Sequence, residues 1–338
     1  MFQSELFLIA LIELRFVSLF LDDQNFKQIN VGIDVDDTLP EYHFGDIHIK
    51  LDLFYDQMLL LQFHNNTESL IRFIYSITNA VSLIYNNRPL GRLARFHFFI
   101  NEIEPLDENI LIGDSGDGEI YRQTFKYKYL NRFRSKNAAT LAILLTGYNF
   151  RYKRNRTDTQ GLANVGFIAC NRPQDSFLII EARSFRAAFI MAHEIGHTLN
   201  MQHDEDYSIV KFNCGSTYIM SSTTGPGKTQ FSICSYNQLR SYLIRKDRKI
   251  IDCFATIPFR FIIRFPNQID ADYKSISINE QCRMALGSTF HAKDMTFALI
   301  SVCIKIGCTN GFIDIFIDPA IENTTCGIGQ FCRNGQCI

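Results

Sequence analysis

The chain has 338 residues, of which 46% are apolar, and 34 Lys/Arg against 35 Asp/Glu leave a formal net charge of −1. That length accommodates roughly two domains. The near-neutral balance offers neither a polybasic nor a polyacidic surface, so no nucleic-acid partner is expected.

Residues 1–44 are read as a separate N-terminal segment, signal-like or the remnant of a pro-segment. Leu6–Ile12 and Phe16–Leu21 are short apolar runs broken by Glu13 and Arg15, so no membrane span can be built from them. Glu5 stands where a secretory signal would carry basic residues. From Asp46 to Tyr55, Ile47, Ile49, Leu51 and Leu53 alternate, which predicts a strand. Thr67–Tyr85 places Leu70, Ile71, Ile74, Ile77, Val81 and Ile84 at helical spacing. A second strand is predicted over Phe96–Ile103, a plain turn over Gly113–Gly118 and a helix with a basic, solvated face over Tyr121–Lys136. Ala138–Thr146 is apolar enough for the centre of a sheet. A basic loop follows over Asn149–Thr159. Strands alternating with helices give an α/β layer fold.

The run His193-Glu194-Ile195-Gly196-His197-Thr198-Leu199-Asn200-Met201-Gln202-His203 carries the chemistry. It lies at the end of an apolar helix predicted over Phe185–Leu199 with Ser184 as N-cap. Residues four apart share a helical face, so His193 and His197 can offer two imidazole nitrogens to one zinc ion. His203 is too far along to share that face, and the chain must turn near Asn200 to deliver it as a third ligand. Three protein ligands leave a position open for water, as in catalytic zinc sites. Glu194 flanks the first ligand, where it can act as general base.

These residues resemble the extended zinc signature of the metzincin endopeptidases. Asp204 after the third histidine points to the reprolysin branch, which includes the ADAM and ADAMTS proteases. Tyr218-Ile219-Met220-Ser221 is similar to that branch's Met-turn, so the resemblance implies that Met220 floors the zinc site. The resemblance also implies a mixed, mainly parallel sheet with the active-site helix under the cleft. An edge strand beginning over Gly166–Ala169 would pair with substrate. The family has Gly where this chain has Asn200, a position that calls for left-handed backbone; Asn is the next most tolerant residue. Lys50 occupies the place of a family calcium ligand, which leaves calcium as a doubtful second cofactor beside one catalytic Zn2+.

All ten cysteines lie from Cys170 onward, six of them between Cys282 and Cys337, and no C-x-x-C pair suggests a structural zinc module. In a protease of this type, such an even set points to disulfides, an oxidising compartment and secretion. The resemblance implies the pairs Cys170–Cys253, Cys214–Cys234, Cys282–Cys308, Cys303–Cys332 and Cys326–Cys337. Residues 45–255 are read as the reprolysin-type protease domain. Residues 256–338 are read as a linker and a small disulfide-rich, disintegrin-like module of ADAMTS type. That module has six cysteines where the family has eight.

The expected activity is a secreted zinc metalloendopeptidase acting on extracellular proteins. The alternative is a catalytically dormant adhesion protein working through its C-terminal module.

Overall fold

The computed structural model describes residues 44–113, 115–133, 139–152, 159–166, 173–206, 214–223, 225, 227–245, 248–255, 276–293 and 301–338. The N-terminal segment falls outside these, as does the centre of the basic loop after Asn149. Five strands form one sheet: β1 (Asp46–Tyr55), β2 (Arg95–Pro105), β3 (Thr140–Thr146), β4 (Gly161–Leu162) and β5 (Phe177–Glu181). Their order is β2-β1-β3-β5-β4. β1 runs parallel to β2 and β3, and β3 parallel to β5; only β4 is antiparallel.

The centre of this sheet is buried on both faces. Every residue of β3 and β5 is buried, and β1 is buried from Ile47 onward except at Lys50. Helices cover both sides, as parallel sheets require. The helix α2 (Thr67–Asn86), which follows the short α1 (Gln57–Gln62), packs on β2 and on the helix that carries the histidine motif. The helix α3 (Gly118–Phe133) packs on β5, over a cluster that includes Phe54, Tyr121, Phe125, Phe150 and Phe177.

Asp56 ties three elements together beneath the sheet's C-terminal end. Its Oδ1 accepts from the backbone of Leu59, capping α1, at 2.8 Å and from Gly147 N at 3.0 Å. Its Oδ2 accepts from Tyr121 Oη at 3.1 Å and from Thr146 Oγ1. Asp56→Ala removes a cap and leaves buried donors unmatched. It is expected to cost at least about 2 kcal/mol of stability, measured by denaturant unfolding.

Several sequence expectations shift. The edge strand is Gly161–Leu162, before Gly166–Ala169; Gly166 itself sits in a turn, and residues 167–169 lie outside the described ones. Strand β5 was not expected, although Phe177-Leu178-Ile179-Ile180 is a continuous apolar run of the kind a buried parallel strand needs. α3 begins at Gly118 rather than Tyr121, because Asp117 Oδ1 accepts from the backbone of Glu119 and Ile120 and starts the helix earlier.

The helix α4 (Ala187–Thr198) carries the motif. It starts later than expected: Ser184 Oγ accepts from Arg186 N at 3.3 Å and Ser184 O from Ala187 N at 3.1 Å. Ser184 therefore opens a tight turn ahead of the helix instead of capping it directly. The helices α5 (Ile233–Arg245) and α6 (Arg248–Ala255) complete this part.

The C-terminal part holds α7 (Ile278–Leu286) and two small sheets, β6 (His291–Ala292) to β8 (Asp314–Ile317) through β7 (Ile306–Thr309), and β9 (Thr325–Gly327), β10 (Gln330–Arg333) and β11 (Gln336–Cys337). Disulfides join Cys282–Cys308, Cys303–Cys332 and Cys326–Cys337, and four of these sulfurs lie in its small core. A core this size depends on such cross-links. In the preceding part Cys214 is bonded to Cys234. Cys253 is also disulfide-bonded, and its expected partner Cys170 lies outside the described residues.

Polar contacts hold the C-terminal part against the sheet-bearing part. Arg186, just before α4, pairs with Asp318, and Arg72 Nη1 with Glu280 at 3.3 Å. Asn87 Nδ2 donates to Glu322 Oε2 at 3.2 Å. Burial raises the Glu322 carboxyl to about 7. A carboxyl raised in the folded state binds more protons there than in the unfolded chain, so stability falls as pH rises from its unfolded value through about 7. Glu322→Gln should flatten this part of the stability–pH curve, with a gain of about 1–3 kcal/mol at pH 8 relative to pH 5, read from unfolding midpoints.

Candidate metal centre and cleft

The last turn of α4 and the loop after it assemble the three histidines. The helix ends at Leu199, and Asn200 adopts φ 70°, the left-handed conformation that reverses the chain. Met201 N then donates to Gly196 O at 2.9 Å, folding the chain back under the helix. This brings His203 beside His193 and His197. Ring centroids lie 4.7, 5.2 and 4.9 Å apart, and one ligand atom from each comes within 4.8 Å of the others.

The hydrogen bonds of two rings fix which nitrogen is free. His193 Nδ1 lies 2.7 Å from Ile219 O, and His197 Nδ1 lies 2.8 Å from Met201 O. A carbonyl only accepts, so each Nδ1 carries the proton and each Nε2 keeps its lone pair. Burial pushes the His193 imidazolium pKa down to about 3 and that of His197 to about 4, so both are neutral near pH 7. Three imidazoles with converging nitrogens fit a divalent metal of the zinc type.

Met220 is fully buried and lies directly against α4. A Cβ on Gly196 would stand 2.6 Å from the Met220 sulfur, so the absence of a side chain lets the two segments touch. Met220 O accepts from Asp204 N at 2.9 Å, joining this turn to the residue after His203. Asp204 is also fully buried, and its Oδ1 accepts from Ser232 Oγ and Ser235 Oγ at the start of α5. Gly196, Ser232 and Ser235 were not singled out from the sequence, where small and hydroxyl residues carry no signal of their own.

Glu194 lines the same cleft as the three histidines, a cavity of about 470 Å³ that also takes in Leu162, Phe189 and Ile219. Its side chain lies against the edge strand: a Cβ on Gly161 would sit 2.4 Å from Glu194 Oε1. Burial raises the Glu194 carboxyl to about 8. A cation held by the imidazoles would act the other way and favour the carboxylate. A larger cavity of about 780 Å³ adjoins the cleft and shares Gln160, Arg186, Ile190 and Asp318 with it. It holds none of the three clustered histidines.

A family model described as metallo-peptidase family M12 matches residues 28–232, and one described as ADAMTS cysteine-rich domain 2 matches residues 274–338. "A disintegrin and metalloproteinase with thrombospondin motifs 1" from Rattus norvegicus is 29% identical over 54% of this chain and 18% of its own length. The relative numbered 8 from Homo sapiens is 30% identical over 58% of this chain and 22% of its own. The relative numbered 18 from Mus musculus is 27% identical over 79% of this chain and 22% of its own. Among solved structures, metalloproteinase-II from Bacteroides fragilis matches 61% of this chain and 55% of its own at 18% identity, with a TM-score of 0.40. The chain spans only about a fifth or less of the first curated relatives it matches.

The family match over residues 28–232 defines the class, that of the metallopeptidase families. More particularly, the chain belongs to metallopeptidase family M12, with ADAMTS proteins among its relatives.

Proposed function

We propose that this protein is a secreted zinc-dependent endopeptidase that cleaves extracellular proteins, with Glu194 as general base. The convergence of His193, His197 and His203 on one point, with Glu194 in the same cleft, carries this reading. The three histidines would hold one zinc ion, which when bound polarises a carbonyl and makes water more acidic. Glu194 takes the proton from the attacking water and later delivers it to the leaving amine. His193 and His197 stay in the correct tautomer because Ile219 O and Met201 O hold their Nδ1 protons. Met220 supports the ligands from below.

Among the described residues β4 is the outermost strand of the main sheet on the cleft side, so a substrate peptide can align along its outer edge. Residues 45–255 form the catalytic unit in this reading, and residues 256–338 a linker and substrate-gripping module. Secretion is supported by the disulfides, which require an oxidising compartment. Among the described residues no helix is long and apolar enough to cross a membrane.

The test is peptide cleavage by the oxidised protein before and after treatment with a zinc chelator. Cleavage should vanish on chelation and return with added zinc. Cleavage that persists in metal-free protein would refute the zinc mechanism. Tight zinc binding without cleavage of any peptide would favour the dormant, module-based reading.

A further inference from the structure

We propose that Asp46, His48 and His97 form a second metal site, structural rather than catalytic, for a transition-metal dication of the zinc class. The site lies at the N-terminal ends of β1 and β2. In the parallel register of these strands Asp46 is opposite Arg95 and His48 is opposite His97. Asp46 is two residues before His48 and so emerges on the same face. One ligand atom from each of the three comes within 4.8 Å of the others, the same convergence found at the catalytic histidines.

One of the two imidazoles, that of His48, is oriented in the same manner as the catalytic pair. His48 Nδ1 lies 3.0 Å from Phe254 O in α6, so it carries the proton and Nε2 is left as a lone-pair donor. His48 is buried. The two rings stack at 5.0 Å with an interplanar angle of 17°, and Phe99 stacks beside both, so a bound ion would have to tilt the rings toward it. His97 Nε2 contacts Asp46 Oδ1 at 3.2 Å. Metal binding would replace that hydrogen bond: Nε2 gives up its proton while Nδ1 carries one, so the ring ligates as a neutral imidazole and Asp46 as a carboxylate.

Two nitrogens and one carboxylate oxygen suit zinc, nickel or copper, whereas calcium and magnesium prefer oxygen alone. None of the three residues lines the catalytic cleft. A bound ion would clip β1 to β2 and, through His48 and Phe254, fasten the sheet to α6.

The probe is zinc itself, counted by elemental analysis after equilibrium dialysis of the full chain and followed by thermal melting. His97→Ala should lose one zinc per chain relative to wild type, with peptide cleavage unchanged. Asp46→Asn, at an exposed position, should weaken that zinc at least tenfold. In a His193→Ala/His197→Ala chain, a zinc-dependent rise in Tm should persist and disappear when His97→Ala is added. A His97→Ala chain with wild-type zinc content, or a His193→Ala/His197→Ala chain that binds none, overturns the proposal. Both results leave the catalytic assignment standing, since that rests on chelator-sensitive cleavage.

Discussion

Glu194→Ala is expected to lower kcat/KM for a cleavable peptide by about 10²–10⁴-fold while leaving the zinc content unchanged. In the proposed mechanism this carboxylate moves the protons, and it is not among the three converging ligand atoms. Its loss should therefore separate turnover from metal binding. The fold should not suffer. Burial disfavours the charged form, as its raised pKa shows, so removing the carboxyl relieves a desolvation cost. Glu194→Gln keeps the volume and should show the same loss of turnover, which excludes a packing explanation. Asp318 also borders the cleft, but it is engaged by Arg186 and serves the contact between the two parts of the chain. A Glu194→Ala protein cleaving at the wild-type rate would mean that another group takes the proton.

Gly161→Ala should cost activity with little loss of stability. The new methyl would stand 2.4 Å from Glu194 Oε1 and 2.6 Å from its Cγ, too close for either to remain in place. The obstructing atoms belong to a side chain that can swing away, so the sheet and helix need not move. The general base must move, however, and a displacement of about 1 Å can lower the rate by about 10²-fold. We expect a loss of that order in kcat, bound zinc as in wild type, and a melting temperature within a few degrees of it. Full activity in Gly161→Ala would show that the position of Glu194 against the edge strand is immaterial.

The sequence made some of this legible for identifiable reasons. The zinc helix, β1, α2 and β3 have strong apolar periodicity or continuous apolar runs, and the structure forms all four. A turn near Asn200 follows from a third histidine that a straight helix could not deliver; left-handed backbone there was implied by the family's glycine, and its φ is 70°. Other features depend on tertiary contact and leave no local pattern. β4 is two residues long, so no alternation can reveal it. The requirement for Gly161 arises from Glu194, thirty-three positions later, and that for Gly196 from Met220. The metal-like grouping of Asp46, His48 and His97 exists only once β1 and β2 pair in register. The division of the C-terminal cysteines into pairs came from family resemblance, since spacing alone does not fix connectivity.

The most direct test of the central claim is an anomalous-scattering map, collected at the zinc edge, from crystals of the zinc-loaded protein. The account predicts a peak in the cleft bonded to the Nε2 atoms of His193, His197 and His203, with Glu194 beside it but not coordinated. A cleft without a peak, or a peak that takes Glu194 as a ligand, would contradict it.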